Sequence, residues 1–244
     1  MEKSLRLDKY LADAGIGTRS QVKQMIRKGQ VTVNDEPVKK PELKVDAEKD
    51  RIEVMGKQIR YQKYRYLLLH KPAGFVSATE DKKEQTVLSL IPEELRKDMF
   101  PVGRLDKDTE GLLLLTNDGA LAHRLLSPKK HVDKTYFACI HGRVTDEDTE
   151  AFLNGVDIGD DKDTLPARME ILESGEESRI LLTIQEGRFH QVKRMFEARD
   201  KKVIYLKRLS MGPLVLDEEL KKGDYRELTE EEMASLGVKV QRKD

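Results

Sequence analysis

Val102-Gly103-Arg104-Leu105-Asp106-Lys107-Asp108-Thr109-Glu110-Gly111 runs straight into Leu112-Leu113-Leu114-Leu115-Thr116-Asn117-Asp118-Gly119. Four leucines in succession, with no polar residue between them, mark a strand covered on both faces rather than one half-exposed. The Asn-Asp-Gly that follows reads as a turn. The charged, glycine-containing stretch before the leucines therefore lies on the lip of a buried sheet, where a reactive carboxylate belongs. Asp106 is the candidate.

Working outward, the rest of the chain alternates strands and helices without a regular βαβ repeat, an α+β pattern. Arg179 to Ile184 reads as a strand and Ala120 to Leu126 as a short helix halted before Pro128. Residues 145 to 154 form a helix with Thr145 as its cap and Phe152 and Leu153 on the buried face. Gln191 to Arg199 starts another, with Val192, Met195 and Phe196 as core contacts. The acidic stretch 217 to 232 reads as a solvated helix and turn. His123 and His131 read as surface residues.

The N-terminal end has a different character. Leu7, Tyr10, Leu11 and Ala14 recur at helical spacing and stop at Gly15. A second helix follows, capped by Thr18 or Ser20, with Val22, Met25 and Ile26 as its apolar stripe and Gly29 as its end. Val31 and Val33, the turn Asn34-Asp35-Glu36-Pro37 and Val38 read as a hairpin. Arg19, Lys23 and Arg27 fall at i, i+4 and i+8 opposite the stripe, a basic face suited to RNA backbone; a plain solvated face is the alternative. The polar run Arg60 to Arg65 precedes apolar Tyr66 to Leu69. The expected domains are accordingly 1–60 and 61–244.

Composition supports this division. The chain has 244 residues, 38% of them hydrophobic, and a net charge of zero. Residues 1 to 60 hold 14 Lys and Arg against 10 Asp and Glu, whereas the remainder holds 31 against 35. Positive charge thus gathers in the N-terminal module, as a phosphate-contacting module requires. The single Cys139, in the apolar run Tyr136 to Ile140, excludes an intramolecular disulfide framework and reads as a small core residue in a reducing cytoplasm. No signal-peptide core and no membrane-length apolar run is present, so a soluble cytoplasmic protein with no membrane partner is expected.

Four elements, in order, resemble the pseudouridine synthases: Lys71-Pro72-Ala73-Gly74-Phe75-Val76-Ser77; Gly103-Arg104-Leu105-Asp106; Lys134-Thr135-Tyr136; and Gly187-Arg188-Phe189-His190-Gln191-Val192-Lys193-Arg194-Met195-Phe196. Residues 5 to 34 resemble an S4 RNA-binding module. The form His190-Gln191-Val192-Lys193 and the tail Lys222 to Thr229 are most similar to the branch that modifies small-subunit rRNA. This resemblance implies a catalytic domain on a central, largely antiparallel sheet. It further implies isomerisation of one uridine in 16S rRNA, or in 23S rRNA as the alternative, by a monomer needing no cofactor and no metal.

The same resemblance implies roles. Asp106 is the catalytic carboxylate, attacking the sugar C1′ or removing a proton from the sugar. Lys193 matches its basic partner, and Tyr136 the residue that stacks on the base and relays a proton. Arg104 matches a position that fills the gap left by an extruded nucleotide. Arg6, Lys9, Arg19, Lys23, Arg27, Arg188 and His190 are expected to contact RNA.

Two other classes stay open at this point. Asp106, Asp108 and Glu110 stand at period two, which on a strand would set three acids on one face, as in a metal-dependent ribonuclease. Lys107, Arg104 and Lys193 would repel the cation. A non-catalytic ribosome-assembly factor using only the N-terminal module would leave the Gly187 to Phe196 element unexplained.

Overall fold

The structure, a computed structural model, describes residues 4–47, 49–59, 61, 64–127 and 130–238. It divides into two units: the chain up to Arg65 with Ile91–Met99, and Tyr66–Leu90 with the chain from Phe100 onward. The boundary expected at Arg60, and Pro128 after the predicted helix, fall outside the described residues.

In the first unit, β1 (Ser4–Arg6) leads directly into α1 (Leu7–Asp13) and α2 (Arg19–Arg27). The short strands β2 (Val31–Val33), β3 (Glu36–Pro37), β4 (Lys44–Asp46), β5 (Ile52–Val54) and β6 (Lys57–Ile59) follow, and α3 (Glu93–Arg96) completes the unit. The strands form a β3-β2-β5-β6 sheet and a separate β1–β4 pair. Of the two expected caps, Thr18 is the one used: its hydroxyl accepts from Gln21 N at 3.3 Å while its own N donates to Gln21 Oε1 at 2.8 Å, a reciprocal capping box. The apolar stripes meet in one core of Leu7, Tyr10, Leu11, Val22, Ile26, Val31, Val45, Ile52 and Val54, with Met25 packed at its edge. Arg65 still belongs here, because its Nη2 donates to Asp13 O at 2.8 Å.

The second unit holds β7 (Tyr66–Lys71), β8 (Phe100–Pro101), β9 (Glu110–Thr116), α4 (Gly119–Leu126), β10 (Lys134–His141), α5 (Asp146–Asn154), β11 (Arg168–Glu173) and β12 (Glu177–Ile184). After these come α6 (Gln191–Glu197), β13 (Lys202–Met211), β14 (Leu214–Val215), β15 (Tyr225–Glu227) and α7 (Glu230–Ser235). Among the described residues the strands build one mixed, mostly antiparallel sheet in the order β11-β12-β10-β13-β9-β7-β15, with β14 and β8 attached. The leucine run is the central strand β9, every residue of it buried. Leu112 and Leu114 face a core shared with α4 and the C-terminal tail. On the other half of the sheet, Phe152 of α5 and Phe196 of α6 meet edge to face at 5.0 Å.

Beside β9 runs β13, and this pair alone is parallel among the described ones, through Lys207↔Glu110 and Arg208↔Gly111. Gly111 is what lets the backbones approach: with φ +105, a Cβ there would lie 2.2 Å from Arg208 O.

Several expectations need correction. The Asn-Asp-Gly turn is a helix start, in which Asp118 caps α4 by accepting from Ala120 N and Leu121 N, each at 3.1 Å. Leu153 points outward at 54% exposure, leaving Phe152 as the buried contact of α5. Cys139 is half-buried, on the outward-alternating face of β10. The helix from Gln191 ends at Glu197, not Arg199. The acidic stretch 217 to 232 contains a strand: β15 pairs with β7, and Arg226 binds both Asp217 and Glu232.

Candidate active site

Asp106 lies in an irregular turn just before β9, held by Lys71 at the end of β7 and by the residues that follow it. Lys71 is fully buried, and its Nζ donates to four carbonyls: Pro72 at 3.1 Å, Asp106 at 3.0 Å, Lys107 at 3.2 Å and Thr109 at 2.7 Å. Gly74 N donates to Lys107 O at 2.7 Å. Ser77 Oγ donates to Leu105 O at 2.8 Å and accepts from Leu105 N at 3.1 Å. The Lys71-to-Ser77 element is therefore a clamp on the Leu105–Thr109 backbone. An ammonium among carbonyl dipoles, with no carboxylate in direct contact, is costly to keep charged. Burial lowers the Lys71 pKa to about 8, against the pull of Asp108, Asp106 and Glu110.

The clamp leaves the Asp106 side chain facing α6. Lys193 Nζ is 3.2 Å from Asp106 Oδ2 and binds both oxygens of Asp108, at 2.7 and 2.9 Å. Burial works against the Lys193 ammonium, yet the hydrogen bonds to Asp108 and Asp106 outweigh it and raise its pKa above that of an ordinary lysine. Asp108 is the mirror image: burial would raise it, and the Lys193 bond holds it below the usual carboxylate range. Glu110 goes elsewhere, accepting from Tyr205 at 2.6 Å and pairing with Lys222 at 2.7 Å. The three acids thus share no face. Asp106 and Asp108 precede the strand and turn toward Lys193, while Glu110 alone is in β9. That removes the geometric basis of the metal-cradle alternative.

Strand pairing places Tyr136. Lys71 is opposite Gly111, Gly111 opposite Arg208, and Arg208 opposite Tyr136. Directly paired residues point to one face. Since Lys71 reaches the Asp106 carbonyl from that face, Tyr136 and Arg208 lie on the same side of the sheet as the Asp106 turn. Arg208 is 2% exposed; its Nε donates to Leu112 O at 2.8 Å and its Nη2 has no hydrogen-bond partner among the described residues. Arg104, two residues before Asp106, is exposed.

The turn entering α6 is knitted by Gln191, which accepts from Arg188 N at 3.0 Å and donates to Glu186 Oε1 at 2.8 Å. His190 takes a left-handed φ of +49 there, and its Nε2 stands 3.6 Å from Asp106 Oδ1. Arg188 does not join the site: its guanidinium is spent on Glu186, Asp160 and the carbonyls of Lys162 and Asp163. Arg194 braces the same loop through Asp160 and Ile158 O.

In the first unit, Asp8, with no exposed surface, gathers three of the expected RNA-binding residues. Arg6 lies at 3.0 Å, Arg19 at 3.4 Å and Lys23 at 3.9 Å. Burial pushes the Asp8 pKa up, but the Arg6 hydrogen bonds and the Arg19 charge bring it below the usual carboxylate range. Lys9 and Arg27 are exposed. Because the cations are half-exposed, Asp8→Asn should cost only about 1–2 kcal/mol of stability at neutral pH. A carboxylate depressed in the fold stabilises above its unfolded pKa, so the deficit should disappear as pH falls below the ordinary value of 3.8 and through the folded one. Urea unfolding of both proteins from pH 7 to pH 2.5 checks this.

A carboxylate turn clamped through its backbone beside a central strand, a lysine facing it from a helix and a tyrosine on the same sheet face define a catalytic domain of the RNA pseudouridine synthase type. Residues 65–198 match the RNA pseudouridylate synthase family and residues 5–52 the S4 domain. The chain belongs to the RNA pseudouridylate synthases and is an isomerase.

Among its relatives, ribosomal small subunit pseudouridine synthase A of Vibrio cholerae is 43% identical, covering 95% of this chain and 99% of that one. An uncharacterized RNA pseudouridine synthase of Bacillus subtilis, YtzG, is 49% identical over 95% and 98%. A crystal structure of a pseudouridylate synthase superimposes with TM-score 0.68 at 39% identity, covering 95% of this chain and 99% of that one.

Proposed function

We propose that the protein converts one uridine of 16S small-subunit rRNA to pseudouridine, with Asp106 as the catalytic carboxylate. The observation that carries this reading is the Asp106–Lys193 pair at 3.2 Å, set in a turn that Lys71 ties down. The bond from C1′ to N1 breaks and one from C1′ to C5 forms, while N1 gains a proton and C5 loses one. Product and substrate are isomers, so no electron acceptor or donor enters the balance.

Asp106 acts at the sugar, as nucleophile or as base, and Lys193 keeps the carboxylate ion-paired between turnovers. Tyr136 stacks on the loose base, and its hydroxyl relays the late proton. Arg104 supplies a guanidinium to the gap left in the RNA, offsetting part of the unstacking cost. The module of residues 1–60 captures the rRNA through the cations around Asp8, and residues 61–244 carry out the chemistry.

The 43% identity to an enzyme named for the small subunit supports the choice of 16S rRNA. No helix of the described residues is long and apolar enough to cross a membrane. Mapping pseudouridines across all rRNA in a deletion strain tests the reading. The expected result is loss of one 16S site, restored by the purified protein. A site lost from 23S rRNA instead would overturn the substrate, and no lost site would overturn rRNA modification itself.

A further inference from the structure

Phe189 is the most exposed aromatic side chain among the described residues, at 71% of its surface, and it sits in the turn that carries His190. Burying a phenylalanine is strongly favourable, so a ring held in water beside the cleft calls for a use. The backbone spends conformational energy to hold it there: the next residue, His190, adopts φ +49, a region that non-glycine residues rarely enter and that clusters at functional sites. The turn is also rigid, pinned on one side by Arg188 and within by Gln191.

The ring does not stand alone. It lies nearly flat on the His190 imidazole, with centroids 3.8 Å apart and planes 17° from parallel. That occupies its inner face and leaves its outer face open. His190 in turn touches the Asp106 carboxylate, Nε2 to Oδ1 at 3.6 Å. A flat group on the outer face would therefore lie one stacking layer, about 3.4 Å, beyond the phenyl ring and two layers from the imidazole that contacts the catalytic acid.

We propose that Phe189, backed by His190, is a stacking shelf for the nucleobase next to the target uridine in the RNA strand. The inference rests on the uridine-isomerase reading above. Once the target nucleotide is drawn to Asp106, its neighbour is tethered by a single phosphodiester and has itself lost a stacking partner. The shelf replaces that partner. Every base has a π face, so the shelf accepts any neighbour and favours the larger purines. It holds RNA and takes no part in bond making, so Phe189 is a positioning residue.

The test compares wild type with Phe189→Ala, Phe189→Leu and Phe189→Tyr in release of tritium from 5-tritiated uridine. Transcribed 16S rRNA, the same RNA partly assembled with small-subunit proteins, and 23S rRNA serve as separate substrates. Because the ring is exposed, thermal unfolding of all four proteins should coincide. The Ala and Leu variants should lose about tenfold to a hundredfold in kcat/KM, the worth of one base on an aromatic face. The loss should lie in the RNA concentration needed for half-saturation, and Tyr, which keeps a flat ring, should restore it. Ala and Leu variants equal to wild type would overturn the shelf while leaving the isomerase reading intact. So would a loss confined to the rate at saturating RNA, which would make Phe189 a prop for His190. A wild type that releases no tritium from any of the three substrates would overturn the uridine reading, and the shelf with it.

Discussion

Asp106→Asn is expected to abolish pseudouridine formation, by on the order of 10⁴-fold or more, the scale on which single members of catalytic constellations are lost. The substitution keeps volume and leaves the turn intact, because the clamp acts on backbone: the bonds from Lys71 Nζ and Thr109 N go to the carbonyl of residue 106 and not to its side chain. Lys193 keeps a partner as well, since Asp108 holds it at 2.7 Å. Fold and RNA affinity should therefore match wild type while the chemistry stops, whether the carboxylate attacks C1′ or removes a proton. Tritium release together with RNA binding on one substrate checks this. Activity within a hundredfold of wild type would move the catalytic role elsewhere.

Lys71→Met should reduce kcat/KM by roughly a hundredfold or more without touching any reacting atom. Methionine fills much of the same space but donates nothing to the four carbonyls of Pro72, Asp106, Lys107 and Thr109. Displacement of a catalytic group by an ångström can cost about 10²-fold. The pH signature separates this lysine from others. Its pKa falls from 10.5 in the unfolded chain to about 8 in the fold. Below pH 8 both states are protonated and the burial penalty is fully present. Between 8 and 10.5 the unfolded chain holds the proton that the folded one has released, so stability rises with pH. Relative to Lys71→Met, wild type should gain up to roughly 3 kcal/mol across that window. Activity should move the opposite way, falling above about pH 8 as the ammonium loses a donor and the clamp slackens. A flat stability difference, or a Met variant with near-normal kcat/KM, would show that Lys71 is filler.

These two residues differ in how far they could be read from the chain alone. Asp106 announces itself, an acid in a glycine-containing turn before four leucines. Lys71 was visible only as part of a motif, although a lysine ending an otherwise apolar strand before a proline is an available signal. Asp8 carried less still, since its neighbour Arg6 and the helical cations Arg19 and Lys23 look like an ordinary solvated face until a buried carboxylate is found beneath them. Phe189 gives no local sign of exposure, because a helix-start pattern does not say that the preceding aromatic is left in water.

What the sequence by itself determined is what short-range chemistry encodes. The helical spacing of Leu7, Tyr10 and Leu11, the choice of Thr18 or Ser20 as a helix cap and the buried central strand all follow from residues a few positions apart. Only the tertiary structure decided which polar groups meet. Lys71 grips a carbonyl 35 residues away, and Lys193 binds an acid at a separation of 85. Asp106, Asp108 and Glu110, which period two would place on one face, part company because the strand begins only at Glu110. Arg188, read as an RNA contact, is taken up by Asp160, Glu186 and two loop carbonyls. The physical reason is that periodicity and capping are properties of a local segment. The partner of a buried charge is instead set by sheet register and loop closure, which bring distant segments together and leave no periodic trace in either one.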